Sequence, residues 1–241
     1  MKAFIFFILC LGLLSAFDIN AVRENIESIE KDTLTFPARD LKVGESGVVL
    51  TKNQSSEVII AQAHITEINN GKATATFKPF ELLKQKFLPT PINEPKVGDE
   101  VLFRSFYNRA IAIAPNQETY QYIIKSNPNI QFMHIDLFAA FLQQENTNDP
   151  QKKEFQKFCP KYSIGLLFIA DSQNIKVFDC QNFAVFGTQE FQDSSILHTE
   201  AVTPFFSRIT APNKRLGSRL KSNNSKDYFP YYDKLTQTHA H

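Results

Sequence analysis

Tyr162-Ser-Ile-Gly-Leu-Leu-Phe-Ile-Ala170 is an almost unbroken apolar run, closed by Asp171-Ser-Gln-Asn174 and followed by Ile175-Lys-Val-Phe-Asp-Cys180. A short strand without polar alternation is buried on both faces, and Asp, Ser and Asn favour the turn that doubles it back. This pair predicts a sheet covered on both sides, and the segments around it supply the cover. Ala110-Ile-Ala-Ile-Ala114 is a second buried strand. Pro115-Asn116 opens a helix through Ser126, with Tyr120, Ile123 and Ile124 on one face, and Asn127-Pro128 ends it. Ile130 to Ile135 reads as a strand. Asp136 is expected to N-cap a helix whose stripe is Leu137, Phe138, Phe141 and Leu142. Asn146 to Pro150 is a loop, Gln151 to Phe158 a basic amphipathic turn or short helix, and Phe183-Ala-Val-Phe186 continues the meander. Strands alternating with helices imply a mixed-sheet α/β domain over residues 109–211.

Residues 17–108 have a different rhythm. Thr33 to Phe36, Val48 to Thr51, Glu57 to Thr66 and Lys72 to Lys78 are rich in β-branched residues at period two. Asn69-Asn-Gly71 is a hairpin turn, because Asn and Gly tolerate positive φ. Lys42-Val-Gly-Glu45 and Lys96-Val-Gly-Asp-Glu100 are two similar turns that each lead into a strand. Phe80 to Lys86 reads as a short helix or an irregular excursion, and Pro89, Pro91 and Pro95 make 87–97 a loop. The overall class is α+β: a β-rich small barrel or sandwich followed by the mixed-sheet domain. A basic, aromatic tail covers 212–241, in which Tyr228-Phe-Pro-Tyr-Tyr232 is expected to dock on a domain rather than stay exposed.

Charge excludes whole classes of function. The 241 residues carry 26 Lys+Arg against 25 Asp+Glu, a formal net charge of +1, so neither a basic nucleic-acid binder nor an acidic solvating protein fits. The 23 Phe with no Trp place the core on Phe and aliphatic side chains. Lys2, the apolar run Ala3 to Leu14 and the small pair Ser15-Ala16 read as a secretory signal over residues 1–16, with cleavage after Ala16 or alternatively Ala21. The run is shorter than the roughly 20 residues of a membrane span, and no transmembrane segment is expected after signal cleavage. Cys10 leaves with the signal. The remaining pair, Cys159 and Cys180, is expected to be a disulfide in an oxidising compartment. A simple hairpin sets Gly165 opposite Cys180, so the chain before Tyr162 must turn back, and Pro160 suits such a turn.

No nucleophile elbow, phosphate loop, dinucleotide fingerprint or metalloprotease motif occurs. Gly44-Glu45-Ser46-Gly47 has the look of a serine-protease loop, but every His follows it, so it reads as a strand turn. His64 and His134 sit among apolar neighbours and read as packed, while His239-Ala-His241 reads as a solvated end. No catalytic, cofactor or metal residue is assigned. The candidates for partner binding are cationic: Lys152, Lys153 and Lys157 around Glu154, the run Lys214, Arg215, Arg219 and Lys221, and Lys234 beside Asp233.

Phe36-Pro-Ala-Arg-Asp-Leu-Lys-Val-Gly-Glu-Ser-Gly47 and Tyr228-Phe-Pro-Tyr-Tyr-Asp-Lys-Leu235 resemble the N-terminal domain of the plasminogen-binding protein A family, found in the envelope of epsilonproteobacteria. The resemblance implies an exported, non-enzymatic protein of the periplasm or outer-membrane surface whose partner is host plasminogen, captured through lysine. The resemblance implies binding through lysines that include a C-terminal one after a charged extension, whereas this chain ends in His241 with Lys234 its last lysine, so internal lysines are expected to act. The competing readings are a structural periplasmic protein that binds anionic cell-wall or membrane components through residues 214–226, and a hydrolase.

Overall fold

The computed structural model describes residues 18–53, 56–80, 93–192, 200–209 and 225–237. The chain is α+β, organised as two sheets. The first contains β1 (Val22–Asn25), β2 (Ser28–Glu30), β3 (Thr33–Pro37), β4 (Ser46–Asn53), β5 (Ser56–Asn69), β6 (Lys72–Pro79) and β7 (Glu100–Phe103). Its strands are antiparallel in the order β1-β7-β4-β5-β6-β3-β2. β1 and β2 are consecutive in the chain but occupy opposite edges. At the bend between them the Ile26 amide donates to Asp99 O (2.9 Å) and the Glu27 amide to Thr35 O (2.8 Å). The segment 22–30 thus ties one edge to the other, and the sheet curls into a half-barrel. Period two fills its interior with Leu34, Phe36, Ala61, Ala63, Ala73 and Ala75, among others. The alanines keep that interior narrow around the Phe36–Phe103 ring pair, 5.2 Å between centroids.

The second sheet contains β8 (Arg109–Ile113), β9 (Gln131–Phe132), β10 (Leu166–Ala170), β11 (Ile175–Asp179) and β12 (Val185–Gln189), in the order β12-β11-β10-β8-β9. β8 runs parallel to both neighbours, while β10, β11 and β12 form an antiparallel meander. Parallel neighbours need long crossovers. α1 (Gln117–Ser126) provides the first, and α2 (Asp136–Gln144) with α3 (Lys152–Lys161) the second. α4 (Tyr228–Gln237) docks, as its aromatic density predicts. Tyr228 and Tyr232 are buried, and the Tyr228 hydroxyl donates to Ala170 O at the end of β10 (2.9 Å). Phe138, Phe155, Phe158, Phe168, Phe178 and Phe183 fill the space between sheet and helices.

Several sequence expectations are corrected. The apolar run from Tyr162 becomes strand only at Leu166, because Ser163 has φ 52° and Gly165 lies against the β7–β8 turn. A Cβ on Gly165 would stand 2.5 Å from Phe106 O, so this close approach requires glycine. Pro160 lies in the last turn of α3 and is not the reversal; the helix itself carries the chain back. Ile135, not Asp136, occupies the N-cap of α2, and the strand expected over 130–135 shortens to two residues. His64 is exposed on β5 with its ring 2.9 Å from the Thr76 hydroxyl and is not packed as expected, whereas His134 is half-buried with its ring centroid 5.7 Å from that of Tyr120. β1 and β2, whose strands are half polar, were not anticipated. The excursion expected at 80–86 and the signal segment 1–16 fall largely or wholly outside the described residues.

Candidate functional site

Three polar clusters stand out, and their hydrogen bonds distinguish structural from functional roles. The first lies at the seam between the sheets. Asp179 is buried at the end of β11 and accepts five hydrogen bonds, from the Ser46 amide (2.9 Å) and hydroxyl (3.0 Å), the Tyr107 hydroxyl (2.7 Å), and the Gln181 (2.9 Å) and Asn182 (3.1 Å) amides. Asn182 Nδ2 donates to Gly44 O (2.7 Å). Beside this, Arg104 donates to Glu45 Oε1 from Nε and Nη2, both side chains being 2 % exposed. Burial pushes the Asp179 and Glu45 carboxyls up, against the pull of their donors, and burial beside Asp179 pushes the Tyr107 phenol up. Ser46 gives its proton to the Asp179 carboxylate, while His64, its register partner on β5, has its ring against the Thr76 hydroxyl, so the Gly44-Glu45-Ser46-Gly47 motif is a latch between sheets. Gly44 permits it: φ is 89°, and a Cβ there would lie 2.4 Å from that of Ala184.

The second cluster joins α2 to the 200–209 segment. Asp136 Oδ1 accepts from the Ser207 hydroxyl (2.9 Å) and the Arg208 amide (2.8 Å), Oδ2 accepts from Arg208 Nε (2.8 Å), and His134 lies at 3.3 Å. Serine, histidine and aspartate are present, but the aspartate is central. A triad needs the histidine between the other two, to take the serine proton. Here Ser207 hydrogen-bonds the carboxylate directly, which anchors the segment and leaves the serine unactivated.

The third cluster is the solvent face of α3. Phe155, Phe158 and Cys159, spaced three and four apart, turn inward, and the Gln151 amide donates to Glu154 Oε2 (3.1 Å) at the helix start. The Cys159–Cys180 disulfide, with Cα atoms 5.7 Å apart, fastens the last turn of α3 to the end of β11. Its predicted pairing is thus present. The outward face carries Lys152, Lys153, Lys157 and Lys161. Glu154 is not the exposed acid expected among them, because its carboxylate is buried and caps the helix; Lys153 reaches it only at 3.7 Å. Lys157 instead pairs with Glu145 at the end of α2, at 2.8 Å. That contact lowers the Glu145 carboxyl and raises the Lys157 ammonium. Lys152 Nζ lies 6.0 Å from the Phe183 ring, and Lys161 Nζ lies 5.8 and 5.7 Å from those of Phe141 and Tyr162. Lys234 is exposed on α4, well apart in sequence from this group, and its neighbour Asp233 accepts from the Ser172 amide (2.8 Å). Lys214, Arg215, Arg219 and Lys221 lie outside the described residues. Glu145 and Lys161 were missed by sequence reading. Glu145 meets Lys157 across a loop, and no local spacing signals such a pair.

A family described as the N-terminal region of plasminogen-binding protein pgbA matches residues 21–236, which span both sheets and α4. The chain belongs to this family. It is 40 % and 38 % identical, over 219 residues each, to plasminogen-binding proteins PgbA from two strains of Helicobacter pylori. Each alignment covers 90 % of this chain but only 48 % and 47 % of the respective relative. The chain therefore spans about half the length of these curated relatives.

Proposed function

We propose that this chain is an exported, non-enzymatic binding protein of the bacterial envelope, in the periplasm or at the outer surface, and that its partner is host plasminogen. The observation that carries the reading is the 40 % identity, over 90 % of the chain, to a protein named for plasminogen binding. The disulfide supports an oxidising compartment, and hence export. The Asp179 and Asp136 clusters support a non-enzymatic role, since each spends its serine proton on a carboxylate. The exposed end of α3, around Lys157 and Lys161, is the surface through which capture proceeds.

The test is binding of the mature chain to immobilised plasminogen with and without a soluble lysine analogue. Exposed ion pairs contribute only about 0–1 kcal/mol each, so binding is expected to be weak and salt-sensitive. It is also expected to be competed by the analogue and unchanged by deleting His239 to His241. Absence of binding at micromolar protein would remove this reading. A structural envelope protein that holds anionic cell-wall or membrane components would then take its place.

A further inference from the structure

A free lysine carries two charges on one residue. With staggered bonds of about 1.5 Å, its carboxylate and ammonium stand about 7 Å apart when extended. A pocket that recognises lysine reads that pair. Most lysines on α3 do not offer it: Lys157 is already closed on Glu145, and Lys153 reaches only a buried carboxylate. Lys161 differs. It is exposed and, among the described residues, forms no ion pair; its ammonium is held over the rings of Phe141 and Tyr162. It lies four residues beyond Lys157, which is one turn and about 6 Å along the helix axis. Lys157 meanwhile holds the Glu145 carboxylate at the neighbouring turn, with that side chain 35 % exposed.

We propose that Glu145 and Lys161 together present the ammonium and carboxylate of a lysine, assembled from the end of α2 and the end of α3, to a lysine-recognising pocket of plasminogen. This rests on the plasminogen reading above and names the residues that would carry it. The Lys161 charge also acts on Glu145, favouring its ionised form, so the two groups share one patch of surface. Phe141 and Tyr162 set the direction of the ammonium, and Lys157 is a positioning residue that keeps the carboxylate in place. The disulfide at Cys159 fixes the turn of α3 that bears Lys161, so both charges stand on a rigid base. The Cys159–Cys180 link thereby has a role in display as well as in folding.

The experiment measures plasminogen binding by the mature chain and by four single variants, each checked for an unchanged thermal transition. Lys161→Met keeps the stem and removes the charge, and Glu145→Gln keeps the shape and removes the charge. Each is expected to weaken binding about tenfold or more and to abolish competition by the lysine analogue. Lys152→Gln and Lys234→Gln are expected to stay within about twofold of the parent, the range of exposed charges. Two failures are distinguishable. If the parent binds in an analogue-sensitive manner and both Lys161→Met and Glu145→Gln bind equally well, this assignment is overturned while plasminogen capture stands. If the parent does not bind, the plasminogen reading itself falls.

Discussion

The half-barrel and the mixed sheet hold together by different means. Apart from Phe36 and Phe103, the half-barrel buries aliphatic side chains, with alanines at Ala61, Ala63, Ala73 and Ala75, and each of its strands pairs with its neighbours through backbone hydrogen bonds. The mixed sheet buries stacked and edge-on phenylalanines under three helices, a docked fourth helix and a disulfide. Backbone pairing makes one region, and side-chain volume makes the other. Substitutions that remove volume should therefore act unequally on the two.

The largest effect is expected from Phe138→Ala. Phe138 is fully buried, with ring centroids 4.7 Å from Phe155 and 5.0 Å from Phe158, and its loss should cost about 3–5 kcal/mol in chemical denaturation. The same truncation at Phe36, whose ring in the half-barrel packs against Phe103 and alanines, should cost less, about 3 kcal/mol. Equal losses at the two positions would erase the contrast. Next comes replacement of both Cys159 and Cys180 by alanine, expected to cost about 3 kcal/mol on the loop-closure view. Hydrogen exchange should show β10 and β11 losing protection while β5 and β6 keep theirs. Loss in both sheets would mean that the Asp179 seam fuses them into one cooperative unit.

A smaller effect tests the seam by pH. Burial holds the Glu45 carboxyl above its ordinary 4.5, with Arg104 pulling the other way. The folded chain thus keeps a proton that the unfolded chain releases. The resulting stabilisation is complete below the unfolded value and is lost as pH rises through the folded one. Asp179 shifts in the same direction. Stability should therefore fall as pH rises above the ordinary carboxylate range, and Glu45→Gln, which cannot ionise, should flatten that slope. A slope unchanged by the substitution would contradict the assignment. The smallest effect is that of Tyr231→Phe, which removes a hydroxyl donating to Pro150 O (2.9 Å) and should cost about 1 kcal/mol.

The same contrast governs what could be read from the chain alone. Leu166 to Ala170 was legible as a buried strand because burial on both faces leaves an unbroken apolar run. β5 and β6 were legible from alternation and from the Asn69-Asn-Gly71 turn. Val22-Arg-Glu-Asn25 and Ser28-Ile-Glu30 were not, because edge strands present polar side chains and take their identity from distant partners. The lysines of α3 were visible as a basic helix. Their acid was misassigned, since Glu154 is nearest in sequence but serves the helix start, while Glu145 comes from another helix. Asp179 gave no signal at all: its five donors come from three separate stretches of chain.

The segment Val22–Glu30 sets an order of events during synthesis. It pairs locally with β3 but also with β7, and Val22 lies opposite Phe103. A chain growing from its N-terminus exposes this segment early and completes its partner some eighty residues later. Until Phe103 emerges, β1 has an unpaired edge and Ile26 has no interior to enter. Within the half-barrel β1 waits across the longest stretch of chain for its partner, which makes closure the slow, non-local step of folding and its waiting edge the point most in need of protection from other chains.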